Sequence, residues 1–134
     1  MITDKDNNTV HCSKSGPWLN YRCEGIVNAN IEDAKDLFLS TKVRKEFDPY
    51  FEKGEYIKKI DDTTSILHLN YKDLFKWRGR DFYLLSTCEK LDDGRIIMAA
   101  KSVENSENDF KNPKKIRAKM RIGTWVLEKV KNDE

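Results

Sequence analysis

Apolar and polar positions alternate with a period of two along most of this chain. Only one stretch, near residues 30–47, shows the three-to-four-residue spacing of a helix. The alternation is densest in Ser65–Tyr71 and again in Arg80–Ser86, with a basic, polar turn (Lys72–Gly79) between them. Leu67, Leu69 and Tyr71 share one face of the first run, opposite His68 and Asn70. In the second, Phe82, Leu84, Ser86 and Cys88 oppose Asp81, Tyr83, Leu85 and Thr87. Apolar groups stand on both faces, so this strand pair is expected to be covered on both sides. Arg80–Asp81, where the second strand begins, reads as a local ion pair or turn cap, fixing the turn into the sheet rather than meeting a ligand.

Residues 1–17 are polar and close on Ser13–Lys14–Ser15–Gly16–Pro17, a flexible or extended lead-in. Trp18–Val27 reads as a strand with a bulge or close approach at Gly25. Asn30 is a fitting N-cap, followed by Glu32 and Asp33 in the first turn. Ala34, Leu37, Phe38 and Thr41 then form a stripe for packing on a sheet. The stripe restarts at Val43 and Phe47, predicting a second, shorter helix stopped at Asp48–Pro49. Phe51–Ile60 is a strand containing Gly54. Leu91–Asp92–Asp93–Gly94 is an Asp-Gly hairpin whose loop of two or four residues leaves the next register open. Ile96, Met98, Ala100 and Ser102 then face the core. Residues 104–113 form a loop. Ile116–Ile122 alternates with Arg117, Lys119 and Arg121, predicting a strand with a basic outer face, and after Gly123 the run Thr124–Val130 is the last strand.

Strands in series with short turns make an antiparallel sheet, and with the 31–47 helices an α+β domain. At 134 residues the chain is one domain, able to bury roughly two-thirds of its unfolded surface. Its 25 Lys and Arg nearly balance 23 Asp and Glu, and a net charge of +2 makes no case for nucleic acid. No apolar run is long enough to span a bilayer, and the N-terminus is unlike a signal peptide. Three cysteines, Cys12, Cys23 and Cys88, without C-x-x-C spacing, read as reduced thiols of a cytoplasmic protein. Of the two histidines, His11 lies in the polar lead-in, far in sequence from any acidic cluster, and His68 in a strand; a Cys–His pair is possible in space but no motif supports it. No catalytic residue, metal site or cofactor is therefore assigned; there is no Gly-rich phosphate loop.

Phe47–Asp48, Arg80–Asp81–Phe82, Ser102–Val103, Ile116–Arg117–Ala118 and Gly123 with Trp125 follow one another in an order that resembles the START family, the StAR-related lipid-transfer domains. The likeness runs from about Tyr21 to Glu128, with Phe47 where the family usually has tryptophan. The order of these short motifs carries it, and the nearest branch is the phosphatidylcholine-transfer one. It implies a helix-grip fold, a curved antiparallel sheet packed against the 31–47 helices. The domain would occupy residues 18–134 and bind a lipid, a phospholipid on this likeness, carrying it between membranes without chemistry. Leu67, Leu69, Tyr71, Phe82, Leu84, Ser86, Cys88, Met98 and Ala100 fall on one face by parity. The residues alone make that face a packed core; the resemblance makes it a cavity lining. Leu69 and Ser86 stand where the cholesterol-binding branch carries a buried acid–base pair, which argues against that sterol mode.

Arg44 matches an arginine that meets the lipid phosphate in the phosphatidylcholine-transfer protein, and Phe38 matches a headgroup tyrosine, keeping the ring without the hydroxyl. The competing role for Arg44 is a surface pair with Asp48 at i+4. Lys111, Lys114, Lys115, Arg117, Lys119 and Arg121 form a basic stripe for transient membrane contact, or a solvated face. The family usually closes its cavity with a C-terminal helix, whereas here only Lys131–Glu134 follow the last strand. The domain thus reads as truncated, with Leu67, Leu69, Leu84 and Met98 left exposed and an unpaired strand edge inviting a homodimer. Two rival functions remain. One is an enzyme like the polyketide cyclases and aromatases of related fold, with Tyr71, His68 or Glu104 as its acid or base; the other is a scaffold whose pocket has closed.

Overall fold

A computed structural model describes residues 2–3, 8–104 and 112–130 of the chain. Strands β1 (Ile2–Thr3), β2 (Thr9–Ser15) and β3 (Trp18–Glu24) form a small antiparallel sheet in sequence order. Of the lead-in, Thr9–Ser15 is extended and paired: Ser15 faces Trp18 across a turn in which Gly16 takes φ +59. A glycine-first two-residue turn matches the twist of the strands it joins. β3 stops at Glu24, short of the expected Val27. At Gly25 a Cβ would stand 2.1 Å from the Asn8 side chain, so the close approach anticipated there is real.

Helices α1 (Ile31–Leu39) and α2 (Arg44–Phe47) come next. The Asn30 side chain accepts from the amides of Glu32 at 2.9 Å and Asp33 at 3.2 Å, as its N-cap position requires. The larger sheet then runs β4 (Phe51–Lys59), β5 (Thr64–Tyr71), β6 (Arg80–Lys90), β7 (Ile96–Ser102) and β9 (Gly123–Leu127), all antiparallel, with β8 (Ile116–Arg117) added parallel to the start of β6. The β6–β7 loop holds three residues rather than two or four. Leu91 and Arg95 close it, and Gly94 takes φ +90 as the left-handed residue after a turn. The resulting register sets Cys88 against Met98 and Ser86 against Ala100.

Leu67 lies opposite Leu84, and Leu69 opposite Phe82. Alternation then places the whole apolar set on one face, beneath α1 and α2. Phe51, Leu67, Leu69 and Leu84 form the buried cluster there, with Tyr71, Phe82, Ala100 and Met120 packed on it. This corrects the expectation of an exposed face: Leu67, Leu69, Leu84 and Met98 are all buried. Tyr71, Phe82, Ala100 and Met120 pack on this cluster, while Tyr56 and Trp125 remain about half exposed. At Gly54 a Cβ would meet Leu69 Cδ2 at 2.8 Å and Thr41 Cγ2 at 3.0 Å, which shows how closely the α1–α2 connection lies on β4.

The run 116–122 is not the one-sided strand that its alternation predicts. Only Ile116–Arg117 pairs, and Arg117 turns inward to Asp81. Asp81 is neither a local ion pair nor a turn cap, because its partners lie across the sheet and Arg80 donates instead to the Arg78 carbonyl. Lys111 and most of the 104–113 loop fall outside the described residues.

Candidate functional site

The helix-covered face of the sheet has two ends of different character. At one end the rings of Phe51, Tyr71 and Phe82 meet edge to face, Phe51 to Tyr71 at 5.6 Å and Tyr71 to Phe82 at 5.7 Å. The Arg44 guanidinium stands 5.5 Å from the centre of the Phe51 ring and donates to the Phe38 carbonyl at 3.0 Å. No ion pair joins it to Asp48, which accepts from the Tyr50 amide instead. α2 therefore aims Arg44 along the covered face, and a cation over an aromatic face, with its remaining N–H groups available, suits a phosphate.

At the other end, a pocket of about 390 Å³ opens between α1 and the sheet, lined by Lys35, Leu39, Tyr56, Ser65, Ser86 and Cys88 among others. That is near the small end of ligand-binding cavities, which run from roughly 300 to 1,000 Å³. The Tyr56 hydroxyl donates to the Leu39 carbonyl at 2.6 Å, pinning the end of α1 to β4. Burial pushes the Tyr56 phenol up, against the pull of Arg44, and burial likewise pushes the Cys88 thiol up. Both groups are thus held neutral and serve the pocket as polar, uncharged walls. Glu32 ties α1 to the end of β6 through Lys90 at 3.2 Å; its hydrogen bonds from Lys35 and Lys90 hold its carboxyl below the ordinary range.

Of the residues anticipated from sequence, Leu67, Leu69 and Leu84 are in the closed core between these ends, with Tyr71, Phe82 and Ala100 against it and Met98 buried nearby. Ser86 and Cys88 reach the pocket. Phe38 stacks on Trp125 at 4.6 Å. Sequence reasoning missed Trp125, Tyr56 and Met120 as parts of this face. Parity would have found the first, since Trp125 lies opposite Met98. Met120 belongs to the misread strand.

The opposite face holds a polar cluster. Asp81, fully buried, accepts from both Arg117 Nε and Nη2 at 3.0 Å, from His68 Nε2 at 2.8 Å and from the Asn112 amide at 3.3 Å. Burial pushes its carboxyl up, but the hydrogen bonds from Arg117 and His68 prevail and hold it below the ordinary range. His68 and Tyr71 thus point to opposite faces, and Glu104 is exposed, so the acid–base candidates of the enzyme reading do not converge. Among the described residues, no three of His, Cys, Asp or Glu are placed to hold a metal ion, and no helix is long and apolar enough to cross a membrane.

Comparison with known proteins agrees with the architecture. The sequence matches the START domain profile over residues 6–134. Solved structures of similar shape include the lipid transfer and protein localization domain of human StarD13 (DLC2), at TM-score 0.84 and 21% identity over 98% of this chain. A STAR-related lipid transfer protein from Xanthomonas axonopodis aligns at 0.81 and 21% over 96%, and human StAR-related lipid transfer protein 5 at 0.76 and 25% over 87%. The chain spans 66%, 72% and 57% of those three chains respectively. No curated protein matches the sequence.

Proposed function

The chain belongs to the START domain family, and from that premise we propose that it binds a phospholipid non-enzymatically and carries it between membranes. The observation that supports this best is the position of Arg44. Its charge is set over an aromatic cluster at the edge of an apolar, helix-covered face, with no carboxylate paired to it among the described residues. A phosphate would take the guanidinium, a choline group would find the Phe51, Tyr71 and Phe82 rings, and acyl chains would part the helices from Leu67, Leu69 and Leu84. Because that face is closed by Leu67, Leu69 and Leu84 in a packed cluster, α1 and α2 must move to admit a lipid.

The test is native mass spectrometry after incubation with phosphatidylcholine vesicles, together with transfer of a fluorescent phosphatidylcholine between vesicles. We expect one retained lipid per chain and measurable transfer. Arg44→Ala should weaken phospholipid binding by roughly tenfold to a hundredfold, the loss expected for a charge-assisted hydrogen bond, and leave uncharged lipids unaffected. Equal affinity in variant and parent would remove the phosphate role. The closed core of Leu67, Leu69 and Leu84 favours a second reading, a scaffold with a filled pocket; a chain that stays empty in every lipid would establish it.

A further inference from the structure

Unpaired strand edges attract other chains unless something guards them. The larger sheet ends in β4 on one side and β9 on the other, and the two edges are built differently. β4 carries Lys53, Glu55, Lys58 and Lys59, and it slips register between Phe51 and Lys53 and again between Tyr56 and Lys58. Charges and bulges of this kind blunt an edge. β9 has neither. Gly123–Leu127 holds no charged residue and runs in unbroken register along β7, from Ala100 opposite Gly123 to Ile96 opposite Leu127. Thr124, Trp125 and Val126 are strand formers, and all three are exposed, Trp125 at 53% and Val126 at 52%. Among the described residues β9 pairs with β7 alone, so its outer row of N–H and C=O groups is open along the strand.

The edge is held in place before anything binds. Trp125 stacks on Phe38 of α1 at 4.6 Å, and at the approach to the strand Arg121 lies 5.1 Å over the Trp18 ring. Charge then decides what would pair there. Lys119, Arg121 and Lys129 flank β9, all exposed, against the single acid Glu128, and none of the three is ion-paired among the described residues. A second copy fits poorly. Two β9 strands paired antiparallel about Trp125 set Arg121 opposite Lys129, and a shift of the axis to Thr124 sets Lys119 opposite Lys129. Like charges facing each other across strands are destabilising. The strand that fits has β-branched residues in its middle and Asp or Glu at its ends.

We propose that β9 is a docking edge for an extended, acidic segment of another protein, which joins the sheet as a further strand. In such an addition the main-chain ladder supplies affinity, and here the flanking cations select the partner. The inference does not depend on the phospholipid reading, since the edge lies outside the Arg44 end of the covered face.

The test uses the full chain and a terminally blocked peptide, Glu-Asp-Thr-Val-Thr-Ile-Thr-Val-Asp-Glu, titrated by calorimetry and followed by hydrogen exchange. The peptide should bind, should slow exchange of the 123–127 amides and should leave those of β4 unchanged. The same peptide N-methylated at its central Thr-Ile-Thr, which cannot form the ladder on either edge, should not bind. Arg121→Glu with Lys129→Glu should weaken binding by roughly tenfold, because two cross-strand charge pairs turn from attractive to repulsive. That variant should in turn bind a peptide with Lys in place of the acids, which the parent rejects. If losing the Trp18 contact unfolds it, Lys119→Glu with Lys129→Glu gives the same reading. No binding by the parent, equal binding of the N-methylated peptide, protection at β4, or indifference to the charge swap would overturn the proposal. So would a chain that sediments as a dimer with its β9 amides protected, which would give the edge to a second copy.

Discussion

Asp81 is the residue on which the back of the sheet depends. An ionised carboxylate out of water is costly unless every lone pair is engaged. Here a bidentate arginine, a histidine and a backbone amide together answer its oxygens, and since the carboxylate only accepts, His68 Nε2 carries the proton. Removing one partner of a buried pair leaves the others uncompensated. Asp81→Ala is therefore expected to cost about 3–5 kcal/mol, read as a lower urea midpoint with lipid selectivity unchanged; a variant as stable as the parent would contradict the architectural role. The pH dependence follows from the same contacts. The folded-state carboxyl lies below its ordinary value, so its contribution is fully present above the unfolded pKa, roughly 3.9. It is lost as pH falls through the lowered folded value. Asp61, Asp73 and Asp93 shift the same way but are exposed at the surface, where such pairs contribute little. Asp81→Asn should accordingly flatten the fall in stability below about pH 4, measured by urea melts across acidic pH. An acid limb unchanged by the substitution would assign it elsewhere.

At the scale of elements, the difference between legible and illegible parts is physical. Helix α1 could be placed from Asn30, Glu32 and Asp33 because a cap is a local device. β5 and β6 could be placed because both their faces are buried and their alternation has consequences. Ile116–Ile122 alternates just as well, yet it makes a strand only where β6 offers a free edge at Arg80 and Asp81. What turns Arg117 inward is a buried carboxylate far away in sequence, which no local pattern reports. Thr9–Ser15 failed to announce its pairing for the opposite reason: it is exposed over most of its length, so nothing selects apolar residues on one side. Spacing alone put Phe38 on the sheet-facing stripe of α1, but it left Arg44 ambiguous, and only the resemblance singled that arginine out. Two element-level predictions follow from local fit. Asn30→Ala should cost about 1 kcal/mol through the lost N-cap. Gly54→Ala should cost about 1–3 kcal/mol by overpacking against Leu69 and Thr41. Thermal melts check both, and a Gly54→Ala chain of parental stability would mean that the α1–α2 connection yields easily.

That ease of yielding is what the whole molecule turns on. The sheet is continuous and its central strands are paired on both sides. The helices above it are short: α1 has 9 residues and α2 has 4, below the length at which a helix is stable by itself. They are fastened at separate points, Phe38 on Trp125, Arg44 over Phe51, and Tyr56 to Leu39. Local opening is cheapest where few buried apolar contacts hold an element, and of the two helices' residues only Ala34 is buried. Amides of α1 and α2 should therefore exchange with solvent well before those of β5 and β6. If phospholipid enters beneath the helices, it should slow their exchange far more than that of the small β1–β3 sheet. At a hundredfold excess of lipid over its dissociation constant, the chain should gain about 2.7 kcal/mol of stability. Hydrogen exchange read by mass spectrometry, with and without phosphatidylcholine, measures both the order of opening and the site of protection. Equal protection of helices and central strands in the free chain would show the helices to be a fixed part of the core. Lipid protection that spared residues 31–47 would place the lipid somewhere other than beneath them.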